Sequence, residues 1–336
     1  MKRESVAGNL PDFHRALEQW FAEHGRRLPW RDARDPYAVM VSEFMLQQTT
    51  VAAVKPFYER WMSTFPSVES LALAKEELVL KLWQGLGYYS RARNLHRAAQ
   101  LLLRERNGSI PKTLVELRTL PGVGAYTAAA IVAFAYDECV PVLDANITRV
   151  VARLFNFHEP IAPAAARREL EKMAATLLPL TGGSAHTSAL MDLGAMVCRS
   201  GTPACAECPV AAFCSAENPR AIPNKPPRAE LTNARDARGL AWSGEGICLV
   251  PSPGPRWRGL WTLPPCEVSD GELLLEGHYF ITRYRVALEV RAMHPEAHWQ
   301  SFLCDSLPPM PSPHRRALDQ ILHKNLQKRR LSPKSS

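Results

Sequence analysis

A chain of 336 residues can bury a large core and divides most naturally into two domains, and 46% hydrophobic with 22% charged residues is ordinary for a soluble globular protein. The start, MKRESVAGNLPDFHRALEQW, has basic residues but no apolar h-region, and the longest apolar run, TAAAIVAFAY, is roughly half of a membrane span, so neither a signal peptide nor a membrane-spanning segment is expected. The net charge of +8 is compatible with a nucleic-acid partner.

Residues 10 to about 215 read as nearly continuous helix. Apolar residues recur every three or four positions in FHRALEQWFAEH, LVLKLWQGLGYYSRARNLHRAAQLLLRE and RRELEKMAATLLPL, with Gly and Pro between them. ENPRAIPNKPPRAE, with four prolines, reads as an extended linker. GICLVPSP, GLWTLPP and HYFITRYRVALEVRAM then have short, alternating β character, and LDQILHKNLQ is a helix candidate. The expected organisation is an all-helical domain over 1–214, a linker over 215–232, a small α+β domain over 233–326 and a disordered basic tail over 327–336.

Cys198, Cys205, Cys208 and Cys214 are spaced C-x6-C-x2-C-x5-C. Four thiols packed that closely need a shared metal or oxidation. The spacing suits a zinc ion or a [4Fe–4S] cluster, the alternatives being a pair of disulfides or ordinary buried thiols. Cys139, Cys248, Cys266 and Cys304 are scattered and read as structural or free thiols in a reducing compartment.

Two further patterns bear on chemistry. LPGVGAYTAAAIVAFAY places Gly122, Val123 and Gly124 in a tight turn before an alanine-rich helix. Two glycines there allow positive φ and present bare backbone N–H groups, which bind a phosphate without reading sequence; a plain inter-helix turn reads equally well. Glu43 lies among apolar neighbours in VMVSEFMLQQTT. If it faces a pocket, burial raises its pKa and keeps it an acid near neutral pH; otherwise it is a surface glutamate. Asp144 in VLDANITRV fits a helix N-cap or a site residue. One acidic and one ionised carboxylate are what glycosidic cleavage requires.

Taken together, LPWR, SEFMLQQT, LWQGLGYYSRARNLH, LPGVGAYTAAAI, VLDANITRV and MDLGAMVC resemble, in order, the blocks of the helix-hairpin-helix DNA glycosylases with an iron–sulfur cluster, and within them the MutY-type adenine DNA glycosylases. The resemblance runs from about Leu28 to Cys214. It implies a mainly α fold, a helix-hairpin-helix domain ending in a [4Fe–4S] loop, then a small α+β Nudix-like domain. It also implies a double-stranded DNA partner carrying adenine opposite 8-oxoguanine, and a monomeric, cytoplasmic, nucleoid-associated protein of bacterial type.

By that resemblance Glu43 protonates N7 of the flipped adenine, and Asp144 stabilises the oxocarbenium, with a transient adduct opened by water with retention. Asn146 and Tyr126 orient Asp144 and the sugar. Arg26, Trp30, Arg31 and Leu46 match positions lining the adenine pocket. Gln48 and Tyr88 match side chains that fill the gap and wedge beside the damaged base. Arg199, in the cysteine loop, could meet a phosphate. The family's strand-cutting branch carries a lysine amine where this chain has Tyr126, and tyrosine cannot form a Schiff base, so base removal without an efficient lyase step is expected.

Two departures bear on specificity. Ser188 stands where the family has Gln or Glu contacting adenine. In the C-terminal domain, Ile281-Thr282-Arg283 replaces the family's Phe-Ser-His lesion-reading loop, leaving Thr282 and Arg283 as the candidate readers. No Nudix catalytic box is present. The competing functions are a related glycosylase for T:G or U:G mismatches and a non-catalytic DNA-damage sensor.

Overall fold

The computed structural model describes residues 8–31, 34–227 and 230–331. The chain forms two compact units: residues 1–73 with 94–227, and residues 74–93 with 228–336. The described residues of each are taken separately.

The first unit is helical, and local sequence explains where its helices begin. Asn9, Asp35, Thr50, Ser67, Thr113 and Asp144 cap α1 (Leu10–His24), α2 (Pro36–Leu46), α3 (Val51–Thr64), α4 (Val68–Ala72), α7 (Leu114–Leu117) and α9 (Ala145–Leu154) through their side-chain oxygens. Pro sits in the first turn of α1 and of α2, where its missing N–H costs nothing. α5 (Glu76–Trp83) belongs to the second unit, and α6 (Ser90–Arg106) crosses the division. α8 (Ala125–Tyr136), α10 (Ala164–Ala175) and α11 (Gly183–Met196) complete the set.

α2 and α8 are apolar almost all round, and such helices go to the middle of a bundle. They pack against each other. α9, by contrast, buries one face against α11. That packing is close because Gly194 has no side chain: a Cβ there would lie 2.7 Å from the Cβ of Asn146. Phe13, Leu17, Val151, Leu177 and Leu193 form the core beneath.

The expected linker is packed along part of its length. Ile222 is buried, its carbonyl accepts from Arg153 Nε at 2.9 Å, and Asn224 bridges to Pro160. The first unit therefore extends to Pro227.

The second unit carries seven strands: β1 (Thr232–Leu240), β2 (Trp242–Ser243), β3 (Gly246–Pro251), β4 (Trp261–Thr262), β5 (Leu273–Ile281), β6 (Tyr284–Ala292) and β7 (Gln300–Leu303). One sheet has the order β1-β6-β5, with β1 parallel to β6 and β6 antiparallel to β5. The other has β2-β3-β4, with β7 also on β3. α12 (Ser312–Leu331) packs on β5 over a core of Leu249, Leu263, Leu288, Val290, Met310 and Leu318. Its backbone is helical through residues 327–331 of the expected disordered tail, and residues 332–336 lie outside the described residues. No described helix is long and apolar enough to cross a membrane.

Candidate active site

A cavity of about 750 Å³ opens in the first unit, and nine of the residues singled out from sequence border it: Glu43, Asp144, Tyr126, Asn146, Arg26, Trp30, Arg31, Leu46 and Gln48. Glu43 projects from the apolar helix α2, and Asp144 stands at the head of α9. The two carboxylates come from segments a hundred residues apart in the chain.

Their surroundings set them apart. Glu43 is 3% exposed, and burial pushes its carboxyl up to about 7, against a partly compensating hydrogen bond from Tyr126. The Tyr126 hydroxyl donates that bond, and burial together with the two carboxylates raises its own pKa well above the ordinary value. One Glu43 oxygen, Oε2, is buried without a hydrogen-bond partner among the described residues. Asp144 is richer in donors. Its Oδ1 accepts from the Ile147 backbone N–H at 2.6 Å and its Oδ2 from Asn146 Nδ2 at 2.9 Å. Its pKa is still raised, burial outweighing these bonds. Asp144 is thus a helix cap and a cavity carboxylate at once, so the two sequence readings describe one residue.

Asn146 is held from behind. Its Oδ1 accepts from Arg149 Nη2 at 2.9 Å, and Arg149 also donates to the carbonyls of Gly194, at 2.7 Å, and Cys198, at 2.7 Å. Behind Arg26 and Arg31, which line the cavity, lies a residue that sequence reasoning missed. Asp192, fully buried on α11, accepts from Arg26 through its backbone N–H and Nε at 2.8 Å each, and through Nη2 at 2.6 Å. It also accepts from Arg31 through Nη1 and Nη2 at 2.7 Å each. These bonds hold Asp192 below the usual carboxylate range. Arg31 Nη1 further donates to the Arg26 carbonyl at 2.8 Å, so much of its guanidinium is committed to the wall. The signal was present, since MDLGAM carries an acid inside an apolar helix, just as Glu43 does.

Ser188 does not border the cavity. It is buried at 5% exposure, and Ser184 and Met191 line the wall from α11 instead. In the turn, Gly122 has φ +80°, and a Cβ there would meet Asn94 and Phe44 within 3 Å. Gly124 has φ −89°, so only one of the two glycines uses the left-handed region. Gly124 and Ala125 are exposed at the N-terminus of α8, while Val123 is buried.

Outside the glycines, six described residues have positive φ. Three are Asn or Asp, which tolerate it; the others are Gln48 (57°), Tyr88 (47°) and Thr282 (51°). All three were singled out from sequence. Left-handed backbone at such residue types is costly and concentrates at functional sites. Tyr88 is half exposed in the second unit, and Thr282 and Arg283 form the exposed two-residue turn of the β5–β6 hairpin.

Cys198, Cys205, Cys208 and Cys214 border one further cavity, of about 440 Å³, and no cysteine forms a disulfide. Burial, reinforced by the three neighbouring thiols, pushes Cys208 up to about 12. Arg153 Nη1 donates to Cys198 Sγ at 3.2 Å and to the Arg199 carbonyl at 2.8 Å; the Arg199 side chain is exposed. Among the described residues no three Cys, His, Asp or Glu side chains converge on a single-ion position.

Comparison with known proteins decides the family. Residues 41–175, which hold both carboxylates and the Gly122–Gly124 turn, match the HhH-GPD superfamily of base excision DNA repair proteins. That segment of the helical unit is an HhH-GPD domain. Among HhH-GPD relatives, the chain is 41% identical over 195 residues to the adenine DNA glycosylase of Mycolicibacterium smegmatis, covering 58% of this chain and 66% of that one. It is 39% identical over 283 residues to the adenine DNA glycosylase of Homo sapiens, covering 79% of this chain and 52% of that one. It thus spans less than two thirds of the length of either relative. A solved thermostable thymine-DNA glycosylase superposes with a TM-score of 0.57 at 27% identity, over 63% of this chain and 98% of that one. Iron–sulfur clusters are typical of HhH-GPD glycosylases.

Proposed function

We propose that this protein excises adenine paired with 8-oxoguanine, or with guanine, from duplex DNA, leaving the strand intact. The observation that carries the reading is the pairing of Glu43 and Asp144 on one cavity, the first held near neutral pKa with a free oxygen, the second supplied with donors.

Adenine must leave the base stack to reach such a cavity. Glu43, protonated near neutral pH, gives its proton to N7 of the extruded base, so that the base departs neutral. Positive charge then grows on the sugar, and Asp144 faces it. Retention follows if Asp144 forms a transient bond to the anomeric carbon that water opens on the same face. Asn146 keeps Asp144 in place, itself held by Arg149. Tyr126 offers a hydroxyl where an amine would be needed for strand cleavage. Trp30, Leu46, Met191 and Ser184 wall the cavity together with Arg26 and Arg31, which Asp192 fixes from behind. The backbone at Gly122, Val123 and Gly124, the side chains of Gln48 and Tyr88, and Arg199 are assigned to the DNA. Thr282 and Arg283 are assigned to the base opposite adenine.

The four cysteines border one cavity and form no disulfide, so four thiolates are on hand for a [4Fe–4S] cluster, the group typical of HhH-GPD glycosylases. A cluster there would supply structural closure of the loop, since glycosidic hydrolysis moves no electron. We place the protein as a monomer in a reducing, cytoplasmic compartment.

The test is single-turnover base release on labelled duplexes carrying A:8-oxoguanine, A:G, A:C, T:G and U:G, each before and after alkali. Release from A:8-oxoguanine, with breaks only after alkali, is the expected result. Strand breaks without alkali would overturn the monofunctional assignment. A second reading, thymine removal from T:G, is favoured by the likeness to the thymine-DNA glycosylase and by the Thr282-Arg283 turn; preferential T:G cleavage would establish it instead. Binding without release of any base would make the protein a sensor.

A further inference from the structure

The three-stranded sheet of the second unit has an outer face that none of the assignments above uses. Register places Arg235 on β1, Ala287 on β6 and His278 on β5 in one row across the strands. Two residues along, Asn233, Arg285 and Phe280 form the next row on the same face. The intervening residues Val286 and Leu288 are buried, so this face points outward. The side chains of Asn233, Arg235, His278 and Arg285 are all exposed. Together with Ala287 they border a hollow of about 400 Å³. Ala287 provides the shallow floor; any longer side chain at the centre of that row would fill it.

Charge decides what such a hollow takes. Neither guanidinium makes an ion pair or hydrogen bond to a described side chain, whereas Arg238 and Arg291 in the same sheet are each matched to a carboxylate. The nearest acids on the outer face, Glu289 and Glu276, share the row further on; Glu289 is committed to Arg291, and Glu276 lies on β5, the strand that carries neither arginine. Arg235 and Arg285 are one strand across and two residues along, so a strand spacing of about 4.8 Å and a rise of about 3.3 Å per residue put their Cα atoms roughly 8 Å apart, close to the spacing of successive phosphates along a DNA strand. Like charges so placed repel, and the sheet tolerates this without a protein counter-ion. A polyanion relieves it.

We infer that this hollow is a phosphate-binding site for the sugar–phosphate backbone of a DNA strand, with Arg235 and Arg285 on successive phosphates and His278 and Asn233 as flanking donors. It rests on the reading that the protein acts on DNA, but not on which base is removed.

The test uses the full chain and an unmodified duplex, so its outcome does not depend on base excision. Affinity is measured against salt for the wild type, Arg235→Ala/Arg285→Ala and Arg235→Lys/Arg285→Lys, with thermal melts to establish folding. Each phosphate contact contributes about 0.9 to the slope of log K against log salt. The double alanine variant is therefore expected to lose about 1.8 from the slope, and the lysine pair to keep it. Single-turnover base release at saturating protein should be unchanged in both variants. Ala287→Glu, which fills the floor with negative charge, should weaken binding at least as much. An unchanged slope in a folded double alanine variant overturns the site. So does deoxyadenosine monophosphate binding that the arginines govern while the duplex slope stays constant, since the hollow would then serve a free nucleotide.

Discussion

Each unit buries a carboxylate, and the two are treated in opposite ways. Asp236, on β1 of the second unit, accepts from the Tyr279 hydroxyl at 2.7 Å, from His314 Nε2 at 3.0 Å and from Arg238 Nε. Despite burial, these donors hold its carboxyl down to about 2. Glu43 has one donor, Tyr126, and an oxygen with none among the described residues, and it sits at about 7. Burial penalises charge at both positions; the supply of donors decides which way each carboxyl moves. Asp236 ties strands and helix together. Glu43 is left short of partners where the cavity can bring it one.

The sharpest way to break this contrast is Glu43→Gln. Loss of a general acid is expected to slow base release on the order of 10²–10⁴-fold with DNA binding retained; near-native single-turnover rates would remove Glu43 from the mechanism. The wild-type rate should fall as pH rises through about 7, where Glu43 gives up its proton. It should also fall on the acid side as Asp144, whose pKa burial raises, gains one. These limbs belong to the coupled pair. A carboxyl raised in the fold contributes stability below its unfolded value of 4.5 that is lost through about 7. The glutamine variant should accordingly melt higher than wild type at pH 8.

Asp192→Ala probes the other extreme, a carboxylate saturated by two arginines. Removing one side of a buried ion pair costs about 3–5 kcal/mol; chemical denaturation checks this, and a change below about 1 kcal/mol would mean the arginines repack. Asp192→Glu should restore part of the loss.

A smaller effect is expected from Asp236→Asn. The depressed carboxyl contributes stability that is fully present above its unfolded value of 3.8 and is lost as pH falls through about 2. The variant should lose about 2 kcal/mol at pH 7 and much less at pH 2. A pH-independent loss would assign the cost to packing.

His186 limits the rule. Both its ring nitrogens are buried without hydrogen-bond partners among the described residues, yet it does not border the cavity. Burial, with His14 beside it, holds it to about 4, so its cost to stability develops as pH falls from 6.5 toward 4. His186→Leu should change neutral-pH stability by less than about 1 kcal/mol, abolish that acid sensitivity and leave base release within twofold. A larger rate loss would make His186 part of the site.

Much of this was legible in the sequence. Glu43 and Asp144 could be read because an acid within an apolar helix and an aspartate ahead of ITRV are conspicuous locally. Asp192 could not be assigned a role, because its partners lie some 160 residues away and a sequence does not show which helices face each other. Ser188 was drawn into the pocket by its place in a motif, whereas the rotation of α11 turns Ser184 and Met191 there. The Pro-rich stretch reads as free chain, but the buried side chain of Ile222 fastens it to the first unit. The basic hollow is invisible in one dimension, since its arginines are fifty residues apart and meet only through the β1–β6 register.

Asp144 also closes the first turn of α9. Any bond made at Oδ1 withdraws the acceptor from the Ile147 amide, and an unfilled cap costs a helix about 1 kcal/mol. The helix end therefore acts as a weak return spring on the carboxylate. If the proposed transient bond to the sugar forms at that oxygen, the helix end opposes it slightly and favours its opening by the same amount.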